Sequence, residues 1–298
     1  MHASIFSEIK HFFFRGSALA RLIGINLAVF IAVNLIRVLF FLFDNGGIGE
    51  TLSQWLGIPS NVHVVLHRPW TLLTYMFLHF DLLHILFNMI VLYVGGRLFS
   101  DFIGSSRLVP TYLFGGIAGA VFYVASFNIF PAFREVVAYS VAIGASASVL
   151  AIFIAIAVYM PNYSLPLLLL GRIRLKYIAL FFVVMDLISI DKGNPGGHLA
   201  HLGGAAWGFF YATMLKKGLD PARGTGAWMD AVAGLFRRKP RLRVEYHRDR
   251  PLTDEEYNDR KASDREKMDH ILDKISRHGY DSLTKEEKQF LFRMGNNP

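Results

Sequence analysis

Two residues in this sequence could form a nucleophile and its base. Ser146 lies in Ala142-Ile143-Gly144-Ala145-Ser146-Ala147-Ser148-Val149-Leu150, small residues that open an apolar segment ending near Met160. His201 lies in His198-Leu199-Ala200-His201-Leu202-Gly203-Gly204, a second stretch rich in small residues. A hydroxyl inside an apolar run has two readings. The first is packing, because small residues let helices approach closely and Ser can bond back to its own helix. The second is chemistry, because a Ser within reach of an imidazole is the minimal activated nucleophile. His84 and Asn88, four residues apart, stack on one helical face. Both can donate hydrogen bonds, as a stabiliser of a developing oxyanion must.

The elements that must position these groups are helices in a membrane. The chain has 298 residues, 26 of them Phe, and only 18% are charged, too few for an ordinary soluble domain. The net charge of +8 sits in short flanks and in the tail, which argues against nucleic-acid binding. There is no Cys, which excludes disulfides, thiol catalysis and thiolate-bound metals. Hydropathy predicts spans at Leu22 to Phe43, Asp81 to Phe99, Leu108 to Phe127, Val141 to Met160, Ile173 to Ile190 and Gly197 to Leu215. The first reads as a retained anchor rather than a signal peptide. Arg37 near its far end is placed to snorkel outward. The expected fold class is therefore all-α, a polytopic membrane protein. Residues 1–20 form a basic cytosolic lead and 21–217 the membrane domain. Residues 218–253 form a linker with a basic block at 237–243, and 254–298 a small cytosolic helical hairpin or a partly disordered tail. The long connection from Asp44 to Trp70 reads as a loop that touches the membrane.

Lys10, Arg15, Arg21, Arg97, Arg107, Arg172, Arg174, Lys176, Lys216 and Lys217 fall on one set of flanks. Only Arg68, Arg134 and Lys192 fall on the other. The positive-inside rule then puts both termini in the cytoplasm. Counting inward from the predicted helix ends places Ser146, His201, His84 and Asn88 in one layer, roughly 5–11 Å below the outer surface at 1.5 Å per residue. Polar groups gathered at membrane depth are candidates for function. Ala200, Gly204 and Gly208 recur every fourth residue and are expected to face Gly144, Ala145 and Ala147.

With these residues in hand, the chain resembles the rhomboid family of intramembrane serine proteases. The matching stretches are His84-Ile85-Leu86-Phe87-Asn88, Gly144-Ala145-Ser146 and Ala200-His201-Leu202-Gly203-Gly204, over about Leu22 to Leu215. The resemblance implies a six-helix bundle, Ser146 as nucleophile, and His201 as general base in a dyad without a carboxylate. It also implies an oxyanion hole from the Ser146 N–H, His84 and Asn88. The implied reaction is hydrolysis of peptide bonds in transmembrane protein substrates, in a bacterial inner membrane, with no cofactor and no metal. Three positions depart from the family pattern: Ala147 stands for the Gly after the nucleophile, Leu150 for an aromatic, and Trp70-Thr71 for a Trp-Arg pair, with Arg68 nearby.

His79 and Asp186 are auxiliary candidates. His79 reads as structural or water-exposed near the outer interface, and Asp186 as neutral, bonded to a neighbour or lining a cavity. His198 reads as a rim residue, Asp81 as a cap, and Ser148 as pointing about 200° away from Ser146. Rival functions are a histidine-lined carrier, a metal site and an inactive relative that binds membrane helices. No inverted repeat supports the first. The second helix carries His-x-x-x-Asn rather than a zinc-protease His-Glu-x-x-His, which argues against the second. The third would be expected to lack Ser146 or His201.

Overall fold

Long apolar runs broken by Gly, Pro and polar clusters dictate helices, and the computed structural model is predominantly helical. It describes residues 17–43, 47–167, 171–223 and 253–295. Most of the basic lead and the linker with its basic block lie outside those residues. The chain divides between residues 237 and 238 into two compact units.

The first unit begins with α1 (Ala18–Leu42), capped by the Ser17 hydroxyl, which accepts from the Ala20 N–H. The connection that follows holds α2 (Ile48–Leu56), β1 (Ile58–Pro59), α3 (Val62–His67) and α4 (Thr71–Thr74). Next come α5 (Leu82–Phe99), α6 (Leu108–Ile129), β2 (Val141–Ala142) and α7 (Ser146–Tyr159). The unit closes with β3 (Ser164–Leu167), β4 (Gly171–Arg174), α8 (Leu175–Ile188) and α9 (Pro195–Lys216). Two short antiparallel pairs, β1 with β2 and β3 with β4, are additions that the all-helical expectation did not contain. By length and composition, α1 and the helical stretch Leu82–Ile129, which contains α5 and α6, can each cross a membrane. α7 is apolar but shorter.

Two predicted helix starts are corrected. Val141 and Ala142 pair with Pro59 and Ile58, so α7 begins at Ser146 rather than at Val141. Gly171 to Arg174 are likewise drawn into a hairpin, so α8 begins at Leu175 rather than Ile173. Val141 and Ala142 are apolar, which hydropathy cannot separate from a helical turn, and in β4 the same holds for Ile173 alone, between Arg172 and Arg174. Ser146 is thus the first residue of its helix, not five residues inside it.

α7 is the centre of the fold. Every residue from Ala147 to Ala157 is buried, as expected of a helix apolar on all sides. It packs against α9, α6, α5 and α8. The closest approach is to α9: a Cβ added at Gly204 would fall on the Ala147 carbonyl, and one at Gly208 on the Ala151 carbonyl. The seam therefore lies along Ala147 and Ala151: of the expected partners Gly144, Ala145 and Ala147 it takes Ala147, and it continues one turn deeper to Ala151. Ala200 faces α6, where a Cβ on Gly119 would come within 2.8 Å of its carbonyl oxygen. At the opposite end of α9, Arg107 Nε donates to Asp220 Oδ2 at 2.7 Å, tying the α5–α6 connection to the segment after α9. That bond raises the Arg107 pKa.

The loop before α5 is fixed by aromatic contacts. Trp70 stacks on Trp55 with ring centroids 6.2 Å apart and donates its indole N–H to the Trp55 carbonyl at 2.8 Å. Arg68 lies over the Trp55 ring at 4.4 Å and donates to the Gln54 carbonyl. The second unit pairs α10 (Asp254–His278) with α11 (Lys285–Gly295) around buried Ile271 and Leu283. Capping boxes Thr253–Glu256 and Thr284–Glu287 start the two helices, and Gly279 at φ +76° ends the first. The Thr284 N–H and the Lys274 ammonium hold the Glu287 carboxyl below its usual pKa.

Because backbone occupies the space beside Gly204, Gly204→Ala overpacks the α7–α9 seam at a cost of about 1–3 kcal/mol. Thermal unfolding in detergent should show a fall of several degrees. Gly47→Ala, at φ −76° with nothing within 4 Å of the added methyl, should leave the transition in place.

Candidate active site

Ser146 stands where a tight loop enters α7. Gly144 makes the bend at φ +120°, a conformation that L side chains rarely adopt. A methyl there would also sit 2.7 Å from the His84 ring. The Gly144 N–H donates to the Tyr75 carbonyl at 2.8 Å, and the Ala145 N–H donates to His79 Nε2 at 3.2 Å. The two residues before Ser146 are thus pinned to the segment that precedes α5. Tyr75 and Tyr112 hold that segment in turn, with Tyr75 Oη donating to the Gly116 carbonyl at 2.6 Å and Tyr112 Oη to the Met76 carbonyl at 3.0 Å.

His79 is fully buried, which favours the structural of its two expected readings over the water-exposed one. Accepting from Ala145 at Nε2 puts its proton on Nδ1, which faces the Phe77 carbonyl at 3.3 Å. Its polar tip is occupied by backbone. It braces the loop that leads into Ser146 and takes no place on the cavity wall.

That cavity has a volume of about 330 Å³ and brings together Ser146, His201, His84, Asn88 and Asp186 with apolar partners such as Leu150. α7 supplies Ser146, α9 His201, α5 His84 and Asn88, and α8 Asp186. Asp81 caps α5 by accepting the His84 N–H at 2.8 Å, which fixes the turn carrying His84. The His84 ring lies edge-on to His79, with centroids 5.0 Å apart. Asn88 Nδ2 donates to the His84 carbonyl at 2.9 Å and lies 3.5 Å from His79 Nε2. One of its N–H groups is therefore committed to the helix and the other is held only weakly. As the first residue of α7, Ser146 has a backbone N–H without an intrahelical acceptor, at the positive end of the helix dipole. Among the described residues no hydrogen bond within 3.5 Å joins Ser146 to His201. Bonds of this kind are often long in ligand-free sites and tighten when substrate is bound.

Ser148 is buried at 1% exposure and turned away from the cavity, with its Oγ near Gly116 of α6. Asp186 is also buried. Its Oδ1 accepts from Nδ1 of both His198 and His201, each at 2.8 Å. The dyad implied by the resemblance has no carboxylate; here one stands behind His201. His198, expected at the rim, is half-buried on the same oxygen. The signal was present in the sequence: His198 and His201 are three apart, hence on one helical face, and Asp186 is the one acid within its predicted span.

Comparisons with known proteins give the chain its relatives. A family model described as the Rhomboid domain matches residues 66–218, and one described as a family of unknown function (DUF6576) matches residues 253–295. The chain is 31% identical over 160 residues to the RHOMBOID-like protein 12, mitochondrial, of Arabidopsis thaliana, covering 51% of this chain and 48% of that one. It is 29% identical over 194 residues to the Rhomboid protease GluP of Bacillus subtilis (strain 168), covering 63% of this chain and 34% of that one. The chain thus spans about half and about a third of the lengths of these relatives.

Replacing His79 removes the acceptor of a buried N–H, which costs about 1–3 kcal/mol. His79→Ala should therefore lower the unfolding temperature in detergent, with the defect in stability rather than in surface chemistry. An unchanged transition would show that the Ala145–His79 bond carries no weight.

Proposed function

The chain belongs to the rhomboid family of integral membrane proteins, and from that premise we propose that it is an intramembrane serine endopeptidase acting on transmembrane protein substrates. The observation that carries the proposal is the shared cavity, in which Ser146 and His201 from two tightly packed helices meet the donors His84 and Asn88. In this mechanism Ser146 Oγ bonds to the scissile carbonyl carbon while its proton passes to His201 Nε2. The carbonyl electron pair moves onto oxygen, where the Ser146 N–H, His84 and Asn88 stabilise it. The imidazolium returns the proton to the leaving nitrogen as the C–N bond breaks. Water, activated by the same imidazole, then frees the acyl group from Ser146.

Six helices, α1 and α5 to α9, form the membrane bundle in this reading, with both termini in the cytoplasm. The clustering of Arg97, Arg107, Arg172, Arg174, Lys176, Lys216 and Lys217 on one set of flanks supports the orientation. The 14 residues of α7 measure about 21 Å at 1.5 Å per residue, less than a bilayer core of about 30 Å. Irregular backbone at membrane depth is tolerated where protein covers it or where it lines a water-filled cavity. Buried Gly144 and Ala145 above Ser146 meet that condition, so the nucleophile lies below the outer surface yet within reach of water. The bacterial inner membrane is the location proposed, and the second unit is proposed to be cytosolic. The competing reading, a relative that binds membrane helices without cutting them, draws on the missing Ser146–His201 hydrogen bond.

Cleavage of a reporter transmembrane substrate in proteoliposomes separates the two. Ser146→Ala and His201→Ala should each abolish cleavage, with the double variant no worse than either, because the pair acts as a unit. Ser148→Ala should keep most of the activity. Asn88→Ala should reduce turnover by roughly 10²–10³ with little change in KM, the cost of one oxyanion donor. Persistent cleavage by Ser146→Ala would end the protease reading.

A further inference from the structure

We propose that Asp186 is the positioning residue of the base, so that Ser146, His201 and Asp186 work as a triad with His198 as the second anchor of the carboxylate. The inference rests on the Ser146–His201 reading given above. Its starting point is the burial pattern of α8. Leu180, Phe181 and Leu187 are each 59% exposed, whereas Asp186 is 8% exposed, so this apolar helix turns its one carboxylate inward. A buried carboxylate is costly unless it is hydrogen-bonded and paired. Here one oxygen receives two imidazole N–H groups at 2.8 Å, and both come from α9.

That geometry fixes the chemistry of His201. A carboxylate oxygen accepts, so the Nδ1 of each bonded imidazole carries its proton and the Nε2 lone pair remains free. His201 Nε2 is therefore the acceptor for the Ser146 proton, and the ring cannot rotate without giving up its bond to Asp186. As the proton arrives, His201 becomes an imidazolium beside a buried carboxylate, and the opposite charge stabilises it. Asp186 takes no proton and forms no bond to substrate. His198 keeps the carboxylate from swinging away, which is a use for a histidine that the dyad leaves without one.

The same three side chains could hold a divalent ion, since their ligand atoms lie within 4.8 Å of one another. The two roles exclude each other. A metal on Nδ1 of His201 takes the place of the Nδ1 proton, which then resides on Nε2, and a protonated Nε2 cannot act as base.

The test measures kcat and KM for a reporter transmembrane substrate across pH 5–9, with the full chain in proteoliposomes. The variants are Asp186→Asn, Asp186→Glu and Ser146→Ala. Apart from Asp186 itself, the titratable groups around the site, His84 on α5 and His198 and His201 on α9, are the same in every arm. Asp186→Asn should lower kcat by about 10²-fold or more with KM little changed. The acid limb of its kcat profile should move to lower pH, because imidazolium loses its counter-charge. Asp186→Glu should recover part of kcat and return the limb toward the wild-type position. Wild-type kcat in Asp186→Asn, or a reduced kcat with an unmoved limb, would overturn the proposal. If Asp186→Asn fails to fold, Asp186→Glu decides: a folded variant with no recoverable activity overturns it. A change in wild-type turnover on EDTA treatment that Zn²⁺ reverses would also overturn it, in favour of a metal site. Cleavage by Ser146→Ala would instead mark the failure of the underlying protease reading.

Discussion

The α7–α9 contact is the constraint on which the rest of the site depends. Gly204 and Gly208 let the α9 backbone rest on the carbonyls of Ala147 and Ala151, an approach that no side chain at those positions permits. Helices in lipid gain little from apolar burial against one another, so close packing must supply much of their association. The seam sets the distance between the start of α7 and the middle of α9, and thereby between Ser146 and His201. Gly115 and Gly119 of α6 bring a third backbone against the same short stretch of α7, which leaves Ser146 one open side, toward the cavity.

Around that seam the polar groups form two separate sets. One set is structural: His79 and Tyr75 bind the backbone of Ala145 and Gly144, and Tyr112 binds the Met76 carbonyl. These bonds hold the loop that delivers Ser146 and leave no donor facing the cavity. The other set lines the cavity itself, with His84 and Asn88 on one wall and His201 backed by Asp186 on the other. Because Asp186 comes from α8, a helix with only three buried residues, the orientation of His201 depends on where that loosely covered helix sits.

Much of the site was legible because residue type carries strong information inside an apolar chain. Ser146, His201, His84 and Asn88 stand out as polar groups in apolar stretches of sequence, and small residues at a four-residue spacing point to close packing. What could not be read was anything set by pairing between distant segments. Val141 and Ala142 are as apolar as a helical turn, and only their pairing with Pro59 and Ile58 makes them a strand and moves the helix start to Ser146. His79 carries the same side chain as His84, yet its burial follows from the path of the loop before α5. The bond from Asp186 to two histidines depends on the rotation of α8, which hydropathy leaves free. In the second unit the reverse holds: the Thr284–Glu287 capping box and Gly279 are local signals, and each stands at a helix end.

The most direct measurement is to treat the full chain in detergent with a fluorophosphonate and map the adduct by peptide mass spectrometry. A single covalent adduct on Ser146, with Ser148 unmodified, is the expected result, because among the described serines Ser146 lines the cavity together with a histidine, His201. An adduct on another serine, or none from a folded protein, would contradict the assignment of Ser146 as nucleophile.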